Sequence, residues 1–102
     1  MMAEATVIYW RDIPTQVVVG PTRGGVKRQL AQRFMVAVDK AAMESGGTSA
    51  DDYLEDWRKV ATTAADIEPN AAADLLVQEL EEAYPATRLA ELARHGGKEF
   101  LE

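Results

Sequence analysis

Apolar residues gather in two short N-terminal runs of β-branched and aromatic types, then recur every three or four positions over most of the remaining chain. Residues 5–10 (Ala-Thr-Val-Ile-Tyr-Trp) and 15–20 (Thr-Gln-Val-Val-Val-Gly) predict two strands. The link Arg11-Asp12-Ile13-Pro14 predicts an antiparallel β-hairpin with a loop longer than the tight two-residue kind. Pro14 lacks an N–H, so it belongs at the turn or at a strand start.

Gly20-Pro21-Thr22-Arg23-Gly24-Gly25 is the strongest loop signal. A helix is expected to follow from about Val26 to Ser45, with Leu30, Phe34, Val38 and Ala41 on one apolar stripe and Gly46-Gly47 as its stop. Thr48 and Ser49 can cap a short second helix that buries Tyr53, Leu54 and Trp57. Arg58 to Thr63 breaks the helical pattern and reads as a third strand or as an extended connection. Pro69-Asn70 opens another helix to about Tyr84, with Ala72, Leu76, Leu80 and Ala83 as its stripe and Leu75 beside it. Pro85 stops that helix and begins a last one, Thr87 to Arg94, carrying Leu89, Leu92 and Ala93 and closed by Gly96-Gly97. The expected architecture is α+β: an N-terminal hairpin, with a third strand left open, packed on one face against three to four helices. We read residues 1–102 as one domain whose tail, from about residue 96, frays.

Seventeen acids against eleven bases give a net charge of −6, which argues against a nucleic-acid partner. With no Cys and a single His, thiol chemistry, thiolate metal sites and multi-histidine sites are excluded. Apolar runs such as Val17 to Val19 are too short to cross a bilayer, and Met1 to Thr6 lacks a signal-peptide layout, so a cytoplasmic protein is expected. The charge is uneven. Residues 1–46 hold six bases and four acids, a balance of +2; residues 47–102 hold five bases and thirteen acids, a balance of −8.

Arg23, Lys27 and Arg28 lie after or between glycines at the expected start of the first helix, where backbone N–H groups and the helix dipole favour an anion. The spacing is not that of a P-loop. An ordinary solvated loop, or a contact with the acidic half, is the competing reading. Asp51, Asp52, Glu55 and Asp56 lack the spacing of a calcium loop and read as a solvated helix face, so no metal is expected. His95 suits a helix C-terminus, and Ser45 and Ser49 have no nucleophile-elbow pattern. No residue is assigned a catalytic role. Tyr9 and Trp10 face opposite sides of a strand, so two readings stand: both are structural and Arg11 pairs with a nearby acid, or one belongs to the core and the other serves recognition beside Arg11 and Asp12.

The string Val7-Ile8-Tyr9-Trp10-Arg11-Asp12-Ile13-Pro14, then Gln16-Val17, is distinctive. Lys27-Arg28, Leu30, Arg33-Phe34, Ala37-Val38-Asp39, Ala41-Ala42-Met43, Tyr53-Leu54 and Trp57-Arg58 follow in order. Over roughly residues 5–92 this order resembles the small bacterial "virulence factor" family, related to a domain of the conserved virulence factor C type. The resemblance implies an accessory protein of the kind encoded beside corrinoid- and folate-dependent methyl-transfer proteins, and hence a protein partner of that class. The chain has no Asp-x-His-x-x-Gly to supply a cobalt ligand, so no cofactor is expected. The expected partner surface is Tyr9, Trp10, Arg11, Asp12 and Gln16 with the basic start of the first helix, Lys27, Arg28 and Arg33. The alternative is a module for a small anion or phosphorylated ligand on Arg23, Lys27 and Arg28, joined by Arg11. An exposed hairpin edge also offers a route to a homodimer.

Overall fold

The hairpin expected at the N-terminus is the centre of a larger sheet. In the computed structural model, which describes residues 3–20, 24–45 and 56–97, β1 (Ala3–Trp10) and β2 (Ile13–Val19) pair antiparallel. β3 (Val26–Gln29) adds to the outer side of β2, and β4 (Trp57–Ala64) to the outer side of β1. The sheet is fully antiparallel, in the order β3-β2-β1-β4. Three helices complete the described residues: α1 (Gln32–Ser45), α2 (Pro69–Ala83) and α3 (Ala86–Arg94). None is long and apolar enough to cross a membrane.

Three sequence expectations change. The hairpin turn is the tight two-residue kind, Arg11-Asp12, because Ile13 and Pro14 already pair with Trp10 and Tyr9. The slack is taken up by a bulge at Thr15, whose hydroxyl donates to the Ile8 carbonyl at 2.8 Å. Residues 26–29 are a strand and not the first turn of a helix. Val-Lys-Arg-Gln is acceptable as helix, but the unpaired side of β2 offers it a full ladder, Val26 against Val19 through Gln29 against Gln16, and that tertiary pairing overrides propensity. The segment 58–63 is a strand, and Trp57, expected on a helix, begins it opposite Trp10. The short helix expected around residues 48–57 otherwise lies outside the described residues, as do the carboxylates Asp51, Asp52 and Glu55.

The helices obey their patterns more closely. Leu30, Phe34, Val38 and Ala41 are all buried, and Leu89, Leu92 and Ala93 are buried on α3. On α2 the buried positions are Ala72 and Ala73, with Leu76, Val77 and Leu80 partly covered; Ala83, expected in the stripe, is exposed. Two cores result. The larger sits at the turn end of the sheet, where Trp10 and Ile13 meet Leu30, Phe34, Ala37, Val38, Ala41, Ala42, Leu89 and Leu92. The smaller joins Ala5, Val19 and Ala64 to Ala72 and Ala73, small side chains that let α2 lie close on the sheet.

Helix ends are tied to neighbouring elements. Glu68 caps α2, accepting from the Ala71 N–H at 3.1 Å, with Pro69 at the first position. Ala31, just before α1, donates its N–H to Glu81 Oε2 of α2 at 3.0 Å. α3 ends in a Schellman arrangement: Gly97 N–H bonds to Leu92 O at 2.7 Å, Gly96 N–H to Ala93 O at 3.2 Å, and Gly96 has φ +69°. His95 occupies the C-cap. Gly96 and Gly97, expected to begin a loose tail, are buried. Residues 98–102 lie outside the described residues.

Candidate functional site at the hairpin turn

A two-residue hairpin turn needs a positive φ at its first position, which glycine or asparagine usually supplies. Here Arg11 supplies it, at φ +55°, a conformation that costs a branched or long side chain about 1 kcal/mol or more. The surroundings compensate. The Arg11 N–H donates to Asp56 O at 3.0 Å and the Asp12 N–H to Gly97 O at 2.8 Å. The guanidinium donates from Nε and Nη2 to Asp56 Oδ2 at 2.9 and 2.8 Å, and from Nη1 to Gly96 O at 2.6 Å. It also lies 4.5 Å above the Trp10 ring. The cation therefore serves the carbonyl end of α3, where the helix dipole favours it. Its side chain is only 14% exposed. Gly97 presses on the other partner: a Cβ there would lie 3.0 Å from Trp10 Cζ3.

Trp10 and Arg11 thus hold the turn from within, and Trp10 offers no surface at all. What they present is Tyr9 and Asp12. The β1–β4 register sets Arg58 directly opposite Tyr9. Its guanidinium lies 5.0 Å from the Tyr9 ring centroid, donates from Nε to Arg11 O at 2.9 Å, and pairs from Nη2 with Asp12 Oδ1 at 3.1 Å. Across a shallow hollow of about 190 Å³, lined also by Val60, stands Tyr84 at the C-cap of α2. Arg88 stacks on it at 4.0 Å. Tyr9 with its arginine partner Arg58, and Tyr84, therefore line one concavity, while Arg88 stacks on Tyr84. Tyrosine and arginine are the residue types that most often dominate protein interfaces, because they bring large contact area with directed hydrogen bonds.

The remaining expected residues lie elsewhere. Gln16 pairs with Ile8 and so sits on the opposite face of the sheet, in an open groove of about 510 Å³ with Gln29, Gln32 and Trp57. Arg33 donates to Glu81 O at 3.0 Å and lies 5.0 Å over Phe34, bracing α1 against α2. Lys27 and Arg28, adjacent on a strand, point to opposite faces and do not converge. Arg28 is engaged by Asp74 Oδ1 at 3.1 Å and Asn70 Oδ1 at 2.6 Å. Arg23 lies outside the described residues. The basic group expected at a helix N-terminus is thus, in its described part, the edge of a sheet.

Arg58, Tyr84, Arg88 and Asp56 were not legible as site residues. The strand-or-connection reading of residues 58–63 was the available signal for Arg58, but only the register sets it against Tyr9. At the start of α2 the Glu68 carboxyl has a displaced titration. Hydrogen bonds from the Asn70 side chain, then from the Asn70 and Ala71 N–H groups, hold it below the usual glutamate value, and Arg28 adds to this. That is a capping effect and lies away from the hollow. Among the described residues no group of three or more acids and histidines is placed to hold a metal.

A family model described as virulence factor matches residues 8–93, which takes in β1 from Ile8, the turn, Arg58 and Tyr84. No curated protein matches the chain, and no solved structure does.

Proposed function

As the chain belongs to the virulence factor family, we propose that it acts as a non-enzymatic accessory protein that docks a partner protein on the Tyr9–Asp12–Arg58–Tyr84 face. The observation that carries this reading is the division of labour at the turn. Trp10 and Arg11 are spent on fixing a strained backbone, while Tyr9 and Tyr84, each under an arginine, are left half-buried at the rim of a hollow. A preorganised aromatic pair loses little freedom on binding, which is what makes such residues effective anchors. Asp12 and Arg58 neutralise each other, so the face suits a partner surface of mixed polarity better than a strongly charged one.

The partner class favoured by the family resemblance is the corrinoid- or folate-dependent methyl-transfer protein, with this chain as a helper subunit. The test is purification of the tagged chain from its own host with mass spectrometry of what co-elutes. Recovery of methyl-transfer proteins, lost on Tyr9→Ala, supports both the class and the face. Recovery of a different partner, lost on the same substitution, keeps the face and removes the class.

A further inference from the structure

Arg58 does not spend its whole guanidinium inside the protein. Nε donates to Arg11 O at 2.9 Å and Nη2 to Asp12 Oδ1 at 3.1 Å, so one edge of the fork is committed. A guanidinium carries five N–H groups. Both N–H groups of Nη1 and the second of Nη2 meet no acceptor among the described residues. They form the outer end of the fork, on a side chain that is 51% exposed and lines the hollow with Tyr9, Val60 and Tyr84. The cation is also held in place. The Tyr9 ring centroid lies 5.0 Å from it, and the carbonyl it grips belongs to Arg11, which Asp56 and Gly96 fix at the turn.

Resting on the partner reading above, we infer that the group the partner seats in this hollow is a single Asp or Glu side chain, its carboxylate bridging Nη1 and Nη2 of Arg58. Two parallel N–H···O bonds from a planar fork match a planar carboxylate in a way that a point charge does not. The hollow, at about 190 Å³, has room for one side chain of that size and not for a helix or a strand. Tyr9, Tyr84 and Val60 line it and keep water from the bound pair, which strengthens the bonds. Asp12 limits the charge that fits. Its carboxylate shares the same guanidinium, so a monoanion is accommodated where a phosphate, with nearly two charges, is repelled. A purely apolar side chain would cover the open donors without giving them acceptors, which costs affinity.

The probe is a phage-displayed library of random linear peptides, selected on the immobilised full chain and counter-selected on Tyr9→Ala, so that only peptides needing the face survive. The surviving peptides are expected to share one Asp or Glu, and exchanging that acid for Asn or Gln is expected to weaken binding about tenfold or more. Arg58→Lys keeps the charge but loses the fork, and is expected to weaken the same peptides to a similar degree with its thermal melt unchanged. Tyr9-dependent peptides that lack a shared acid, or that bind Arg58→Lys as tightly as the parent, overturn this inference and leave the docking face standing. A selection that yields no Tyr9-dependent peptide removes the face and the inference together.

Discussion

Arg11 donates from both Nε and Nη2 to a single oxygen of Asp56, forty-five residues along the chain, and the same guanidinium closes on Gly96 at the end of α3. Three distant elements meet at one side chain. Removing it leaves Asp56 and the Gly96 carbonyl without their donor in a partly covered site. Arg11→Ala is expected to lower unfolding stability by about 2–4 kcal/mol, the range for a truncated charge-assisted network. Arg11→Lys should recover only part of that, since an ammonium cannot supply the fork. Urea unfolding of the three proteins checks both statements.

Gly97 should tolerate no side chain. Gly97→Ala combines a backbone at φ +86° with a Cβ 3.0 Å from Trp10, and is expected to cost about 2–3 kcal/mol and to shift the tryptophan fluorescence. Gly24→Ala shares the backbone, at φ +87°, but meets nothing within 4 Å, so only the conformational cost of about 1 kcal/mol remains. Equal losses in thermal unfolding would show that the contact with Trp10 is unimportant.

Glu68 gives a pH signature. Its carboxyl titrates below the ordinary value in the folded chain because Asn70 and Ala71 donate to the charged form. A depressed folded value means stability that is present above the unfolded value and lost as pH falls through the folded one. Glu68→Gln is therefore expected to melt earlier than the parent at neutral pH, with the gap closing as pH falls below the glutamate range. A gap independent of pH would assign the effect to packing instead.

The site at the turn should separate binding from folding. Arg58 pairs with Asp12 in an exposed position, so Arg58→Ala is expected to cost less than about 1 kcal/mol of stability. Tyr9→Ala and Arg58→Ala are each expected to weaken partner binding about tenfold or more, the scale of an interface anchor. Circular dichroism and thermal melts confirm the fold of each variant.

Much of this fold was legible because local pattern and tertiary demand agree. Phe34, Val38 and Ala41 recur at helical spacing and are buried, and Pro85 with Gly96-Gly97 brackets α3 as its chemistry requires. The failures lie where one part of the chain answers a demand set by another. Lys27 and Arg28 are strand residues because β2 has an open side, and nothing in Val-Lys-Arg-Gln announces it. The turn is tight because Asp56 and Gly97 hold a strained Arg11, a compensation spread over distant positions. The Tyr9-Trp10-Arg11-Asp12 string was visible as a candidate, but which residues face inward was not. The register of β4 decides it by bringing Arg58 over Tyr9 and Asp56 under Arg11.

The central claim is that the Tyr9–Arg58 face is where a partner protein docks. Its most direct test compares the proteins that co-purify with tagged wild type, Tyr9→Ala and Arg58→Ala from the native host, quantified by mass spectrometry. The account predicts one protein retained by wild type and depleted about tenfold or more with both folded variants. The same protein recovered in equal amount with all three would contradict it.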